Sequence, residues 1–386
     1  MNTPPWDALS GQYQLRPGTA HSLVGQRPVL GAGRLGHLLR GQAGAQVSRT
    51  LSSLFTLCAH AHRRTAEQAL AAAQSGVQAL LATDPPVLLW IETARDHLRS
   101  IALDWPQRLP QAGVNAPNLD WLRDCPLKLG SRPYLDAAAA VQALGQLRLW
   151  LQERILMQSP TEWLASHRDP GALVAWCQVH AEQLPPAHCL ALWHPVADPL
   201  RPVLRALDLL DADAARQSTQ LRALAQSLVD QPEFAQRPTW LGQCAENGPW
   251  SRLRHRADRS PQAPAQPTAW TRISARWLEL VEIAAADPGN AGAARAPLLA
   301  SGALALGHGQ ALAWCEMARG LLLHWVQLDA QGAVQDYRVL APTEWNFHPE
   351  GALARAVAAL SPLDRVAAQA LAAAYDPCVA CTVHTE

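Results

Sequence analysis

Tyr375-Asp376-Pro377-Cys378-Val379-Ala380-Cys381-Thr382-Val383-His384-Thr385-Glu386 closes the chain. Cys378 and Cys381 form a C-x-x-C pair, and His384 follows at the same spacing. Thiolates favour soft or borderline metals such as iron and zinc. The segment therefore reads as part of a ligand set whose other members lie elsewhere in the chain. Pro377 fixes φ just before Cys378 and limits how the pair moves. On chemistry alone, half of a zinc site stays open. A c-type haem attachment is excluded, because it needs His directly after the second Cys.

The N-terminal half offers a second stretch, Ser53-Leu54-Phe55-Thr56-Leu57-Cys58-Ala59-His60-Ala61-His62-Arg63-Arg64-Thr65-Ala66. If 58–80 is helical, Cys58 and His62 are i and i+4 and share a face. His62 then comes within hydrogen-bonding reach of the Cys58 sulfur. A helix histidine with no metal role has the same spacing. Ligands from opposite ends of the chain force any shared site to bring those ends together. That predicts one cooperative unit over 1–386, interrupted by a Pro-rich loop near 258–268.

Asp-Pro-Cys-x-x-Cys-x-x-His resembles the last segment of nickel-iron hydrogenase large subunits. In that family two C-x-x-C pairs hold the metal centre. The first Cys of each binds nickel, and the second bridges nickel and iron. The N-terminal family pattern is R-x-C-G-x-C-x-x-x-H, on which Cys58 and His62 fall without a gap. Ser53 replaces the Arg, Phe55 the nickel-only Cys and Thr56 the Gly. Upstream, Gly33-Arg34-Leu35-Gly36-His37-Leu38-Leu39-Arg40-Gly41 resembles R-G-x-E-x-x-L-x-G, with Gly36 where a proton-gating Glu stands. Cys315-Glu316-Met317-Ala318-Arg319-Gly320 looks like E-A-P-R-G, and Leu323-His324-Trp325-Val326 like G-H-W-I. Ala341-Pro342-Thr343-Glu344-Trp345-Asn346 is similar to V-P-[ST]-T-W-N. Ala245-Glu246-Asn247-Gly248-Pro249 resembles A-E-T-G-P, and Ala102-Leu103-Asp104 the family's A-L-D.

The resemblance implies roles. Cys58, Cys381, Arg319 and Thr343 would hold an Fe(CN)2CO fragment, the last two by hydrogen bonds to cyanide. Asp104 would pair with the active-site Arg. Only Cys378 remains of two nickel-only thiolates, so nickel is not expected. Magnesium is a candidate ion at His384, with a structural cap as the alternative. Retained iron ligands with a halved nickel site and no proton gate suit a scaffold, not a hydrogen-splitting enzyme. This pattern is similar to the HupK/HoxV family of hydrogenase expression/formation proteins, shortened relatives of the large subunit. The resemblance covers roughly 30–105 and 240–384. It implies a cytoplasmic, non-enzymatic protein that holds the iron fragment transiently and passes it to a hydrogenase large subunit precursor, alongside HypC-like and HypD-like maturation proteins. A divergent catalytic or hydrogen-sensing large subunit is the alternative. Phe55 opposes it, since an aromatic carbon cannot replace a thiolate. So does the end of the chain two residues after His384, because enzyme precursors carry a tail that is cut after nickel arrives.

Composition narrows the class further. At 386 residues with 49% hydrophobic content the chain holds enough apolar surface for a sizeable core. Formal net charge is zero, which implies no nucleic-acid or anionic-membrane partner. No run of apolar residues is long enough to span a bilayer, and Met1–Trp6 lacks the form of a secretory signal. Eight cysteines without a signal point to a reducing compartment. Ala- and Leu-rich periodicity predicts helices near 62–81, 86–104, 135–157, 171–183, 212–229, 270–286 and 350–374. Gly332-Ala333 between 321–328 and 334–340 predicts a hairpin. The expected fold is α+β, mainly helical, a shortened large-subunit-like chain with minor β hairpins.

Two other readings compete. Gly31-Ala32-Gly33-Arg34-Leu35-Gly36 is a literal G-x-G-x-x-G, but no acid stands between Asp7 and Glu67 to bind a ribose. A turn with chance glycines explains it better. Fifteen tryptophans would also suit a metal-free homologue acting only through interfaces, although most sit in apolar helical patterns that read as core.

Overall fold

A computed structural model describes residues 11–30, 33–75, 80–81, 87–109, 118–130, 136–203, 205–210, 213–253, 267–288 and 298–385. The N-terminal segment 1–10, Gly31-Ala32, the basic cluster 254–256 and most of the Pro-rich loop near 258–268 lie outside them.

Six of the seven expected helices are present, although the first, expected over 62–81, ends at Ser75 and Leu80–Leu81 form a strand. The six are Ala59–Ser75, Val87–Arg99, Ala137–Leu151, Pro170–His180, Ala214–Asp230 and Ala269–Ala285. The seventh, 350–374, divides into Ala352–Ala358 and Arg365–Tyr375. Pro362 between them has no N–H to continue a helix. Asp136, Asp169, Asp213, Thr268 and Asp364 each cap a helix start with a side-chain oxygen, satisfying donors that would otherwise be orphaned. Helices at Arg34–Leu39, Ala45–Leu54, Pro160–His167 and Pro185–Ala197 were not expected from periodicity.

Two sheets organise the rest. Strands β1 (Gln12–Leu15), β2 (Leu23–Gln26) and, from the far end of the chain, β8 (Ala380–Val383) form a three-stranded sheet in the order β2-β1-β8. β1 pairs antiparallel with β2 and parallel with β8, with Tyr13 opposite Cys381. This pairing carries the terminal cysteines back to the N-terminal half.

The second sheet has the order β3-β4-β5-β6-β7, from β3 (Leu80–Leu81), β4 (Ser301–Gly307), β5 (Gln310–Met317), β6 (Gly320–Leu328) and β7 (Val334–Leu340). The β6–β7 hairpin is the one expected at Gly332-Ala333. β4 and β5 add a meander that the pattern concealed, because both faces are covered. Helix Ala59–Ser75 packs on one face against β4, β5 and β6. Ala66 and Ala69 lie in one core with Ala303, Ala305, Ala311 and Ala313, and small side chains on both partners let helix and sheet approach closely. On the other face, Leu221, Leu224 and Leu228 meet Leu312, Trp314, Leu323 and Trp325. A strand buried on both sides shows an apolar run, not an alternation.

Gly36 belongs to this packing. It sits in the short helix Arg34–Leu39 against β7, and a Cβ there would collide with the Asp336 carboxylate and press on the Tyr337 backbone. Asp336 is fixed by bonds to the Tyr337 N–H and the Arg338 guanidinium, so it yields little. Gly36→Glu should therefore lower stability by at least the ~1–3 kcal/mol of ordinary overpacking. The denaturant midpoint reads this, and an unchanged midpoint would show that β7 gives way freely.

Candidate metal site

Cys58 is positioned by a break between two helices. Helix Ala45–Leu54 stops at Phe55, whose N–H still donates to the Leu51 carbonyl. A single tight turn, Thr56–Cys58, then leads into Ala59–Ser75. The first N–H groups of that helix, on His60 and Ala61, donate to the Glu92 carboxylate at 2.7 and 2.9 Å. A carboxylate suits the positive end of a helix. Burial nevertheless pushes Glu92 up to about 7, helped by Asp96, while the two N–H bonds pull it down. Burial likewise pushes the Cys58 thiol well up, with Cys378 the next cause and Arg319 opposing.

Cys378 comes from the other end through a rigid corner. Helix Arg365–Tyr375 ends at Asp376, a non-glycine residue with φ of 43°. Its carboxylate accepts from Ser100 Oγ at 3.1 and 3.2 Å and lies 3.5 Å from Arg276 and 3.6 Å from Arg319. Arg319 Nε also donates to the Asp376 carbonyl at 3.1 Å, and its Nη1 to Asp96 at 3.0 Å. Burial pushes the Asp376 carboxyl up, but the two guanidiniums outweigh it and hold the group below its ordinary value. Arg319 thus ties the C-terminal corner to helix Val87–Arg99.

Three family-like segments meet behind this corner through Asn247. Its N–H donates to Asn346 Oδ1 at 3.0 Å, its carbonyl accepts from Asn346 Nδ2 at 2.8 Å, and its own Oδ1 accepts from the Leu321 N–H at 2.8 Å. Gly320, at φ 136°, is needed beside it, because a Cβ there would strike the Asn247 amide. This knot sets the height of Arg319 on one side. On the other it fixes the short helix Pro342–Asn346, whose Thr343 Oγ1 lies 3.2 Å from Cys378 Sγ.

Cys58, Cys378, Arg319 and Thr343 are thus brought together. The remaining expected residues stand differently. Cys381, in β8, takes a hydrogen bond from Arg108, and burial pushes its thiol up to about 11. His384 is exposed, with Nε2 3.0 Å from Thr382 Oγ1, while its N–H donates to Leu15. His62 does not bond Cys58. Its Nδ1 lies 2.9 Å from His324 Nε2, and His324 Nδ1 lies 2.7 Å from the Tyr337 hydroxyl. The Phe55 ring stacks on His62 at 3.9 Å and 10°. The His62 imidazole thus lies between the Phe55 ring and His324. Asp104 lies in a π turn, Ser100–Asp104, and the carboxylates that pair with Arg319 are Asp96 and Asp376. Burial and Asp376 push the Asp104 carboxyl up. Among the described residues no group of three or more His, Cys, Asp or Glu stands ready to hold a metal ion.

Asp96, Glu92 and Arg27 were not found by sequence reading. Asp96 lies mid-helix with no motif around it. Asp376 was visible in the terminal segment, but nothing in its spacing predicted the clamp.

Two outcomes follow from these contacts. Asp376→Asn removes the charge shared by Arg276 and Arg319 and should cost about 3–5 kcal/mol, the range for breaking a buried pair. An equilibrium unfolding curve unchanged by the substitution would disprove the clamp. The second outcome concerns pH. Burial pulls His324 down to about 3 from 6.5, so its share of stability is complete above about pH 6.5 and is lost as pH falls toward about 3. His324→Phe should flatten the acid limb of a stability–pH plot by up to about 1.4 kcal/mol per pH unit. Parallel limbs for the two proteins would contradict the buried neutral pair.

Residues 301–384 match the family model of nickel-dependent hydrogenases. The chain is 40% identical to hydrogenase expression/formation protein HoxV of Cupriavidus necator, across 97% of this chain and 96% of that one. It is 30% identical to hydrogenase expression/formation protein HupK of Azotobacter vinelandii, across 92% and 91%. It also overlays an NAD+-reducing nickel-iron hydrogenase crystallised in the H2-reduced state, covering 93% of each chain with a TM-score of 0.46 and 12% identity. That likeness is too distant to carry residue roles. With the HoxV match spanning nearly all of both proteins, the chain belongs to the HoxV/HupK family of hydrogenase expression/formation proteins.

Proposed function

We propose that this protein acts in hydrogenase maturation as a non-catalytic scaffold. It holds an Fe(CN)2CO fragment transiently and hands it to a hydrogenase large subunit precursor. The observation that carries this reading is Phe55, whose ring stacks on His62 at 3.9 Å. It fills the place where the resemblance puts a nickel-only thiolate, while Cys58, Cys378, Arg319 and Thr343 stay together. The iron fragment is the cargo here, not a resident cofactor.

The chain's own groups suit such a cargo. Cys58 and Cys378 offer two thiols from opposite ends of the chain, and Cys381 is a third on the adjoining strand. A guanidinium has five N–H donors, and the Arg319 contacts to Asp96 and Asp376 do not use them all. Thr343 adds a hydroxyl beside Cys378. Hydrogen bonds to charged acceptors such as cyanide are each worth about 1.5–3 kcal/mol. Fewer thiolates than a full nickel-iron centre give a weaker hold, so transfer to an apo-subunit with a complete set runs downhill. No described helix is long and apolar enough to cross a membrane, and the reading puts the exchange in the cytoplasm. HypC-like and HypD-like maturation proteins would supply the fragment. His384 is exposed, and its Nε2 lies 3.0 Å from Thr382 Oγ1.

The test is infrared spectroscopy with elemental analysis on protein isolated together with its maturation partners. Cyanide and carbonyl bands with iron but without stoichiometric nickel are expected, and Cys58→Ala should lose them. Stoichiometric nickel with dye-linked hydrogen consumption would establish a divergent enzyme instead. Absence of bands under every loading condition would leave no cargo to scaffold.

A further inference from the structure

Arg27 is an unusual residue to find beside two thiols. It follows β2 directly and is 5% exposed. Its guanidinium carbon stands 5.6 Å from the centre of the Phe55 ring, on a stack that continues into His62 at 3.9 Å. Nη1 lies 3.5 Å from the Glu344 carboxylate, an ion-pair distance too long for a strong hydrogen bond. Arg27 Nε is buried with no hydrogen-bond partner, and neither Glu344 oxygen has a hydrogen bond of ordinary geometry. Buried donors are usually paired, so Arg27 keeps an unused N–H inside the fold.

Its placement is specific. The Phe55 ring under Arg27 belongs to the residue whose carbonyl accepts from the Cys58 N–H, and Glu344 follows Thr343, whose hydroxyl lies 3.2 Å from Cys378 Sγ. The other group facing it is His62, which is itself buried and held down in part by the charge of Arg27. Arg27 is thus the cation that answers the thiol pair. In a two-metal centre that positive charge would come from a second metal ion. Here the Phe55 ring, at the position of the missing thiolate, is the seat on which the guanidinium rests. Cation–π contact favours a guanidinium over an aromatic face, and a guanidinium never gives up its charge in the accessible pH range.

We propose that Arg27 is the fixed counter-cation of the Cys58–Cys378 pocket, taking electrostatically the place of a second metal ion, so that the pocket accepts an iron-cyanide group, whose two cyanides cancel the charge of the iron, and refuses a free divalent cation. The first half rests on the scaffold reading. The second half does not, because it concerns the thiol pair of the apo-protein alone.

The experiment separates the two. Apo-protein is titrated with Co2+, whose thiolate coordination gives a charge-transfer absorbance, and the loaded protein is examined by infrared. Variants are Arg27→Gln, which removes the charge, Arg27→Lys, which keeps it, and Phe55→Leu, which removes the seat and spares the charge. Wild type and Arg27→Lys should show little thiolate–cobalt absorbance. Arg27→Gln should bind Co2+ at least tenfold more tightly, and Phe55→Leu should fall between. In loaded protein Arg27→Gln should shift the cyanide bands and lower their intensity, with Arg27→Lys recovering the intensity. A role in folding alone would change the melting temperature without producing thiolate–cobalt absorbance. Cobalt uptake by Arg27→Gln and Phe55→Leu equal to wild type overturns the proposal, and Phe55→Leu decides it if Arg27→Gln does not fold. Cobalt uptake gained by Arg27→Gln in a protein whose wild type never shows cyanide bands upholds the refusal of cations and overturns the iron cargo.

Discussion

Everything at the site hangs on a single buried carboxylate. Asp376 stands at the left-handed corner between the last helix and the terminal cysteines, and it is gripped by Ser100, Arg276 and Arg319. Taking a carboxylate and two guanidiniums out of water is costly, and their attraction makes up that cost only when the geometry is tight. The return is positional. Arg276 comes from helix Ala269–Ala285, Ser100 from the turn after Val87–Arg99, and Arg319 from the β5–β6 turn. One side chain thus fixes Cys378 relative to three distant parts of the chain. A left-handed corner at a non-glycine residue carries strain of order 1–3 kcal/mol, and it persists where the surroundings over-determine it.

The five-stranded sheet is the frame for that grip. Because it is covered on both faces, its turns are free to serve the site. Arg319 and Gly320 occupy one such turn, and the strand after β6 delivers Thr343 through the short helix at Pro342–Asn346. Asn247 then ties the two together with three hydrogen bonds. Segments that the sequence separates by nearly a hundred residues thus become a single rigid wall. The same wall carries Glu344 to Arg27 on its other flank.

The longer helices were legible from their Ala- and Leu-rich spacing, whereas Arg34–Leu39, Ala45–Leu54, Pro160–His167 and Pro185–Ala197 were not. The meander β4–β5 was not, since Leu312, Trp314 and Cys315 are all buried and period-2 alternation vanishes. Cys58, Cys378, Arg319 and Thr343 were legible through local motifs, each carried on a stretch with its own pattern. Their partners were not. Asp96 and Arg27 act across the fold from segments with no signature, and only tertiary structure brings them near. The pairing of His62 with His324 could not be foreseen for a related reason. Spacing on a helix says which face a residue shares, whereas the partners of the imidazole, Phe55 and His324, are set by tertiary structure.

The parallel pairing of β1 with β8 has a kinetic side. Loop-closure entropy rises only logarithmically with the length closed, so the equilibrium cost of joining such distant strands is modest. The rate is another matter, because contacts between remote parts of a chain form late and slowly. The N-terminal hairpin and Cys58 leave the ribosome first, whereas Cys378 arrives only with the closing strand. Until that strand docks, a nascent chain holds Cys58 without Cys378 and leaves the β1 edge uncovered. The two-ended pocket therefore cannot assemble until the chain has been made past residue 378.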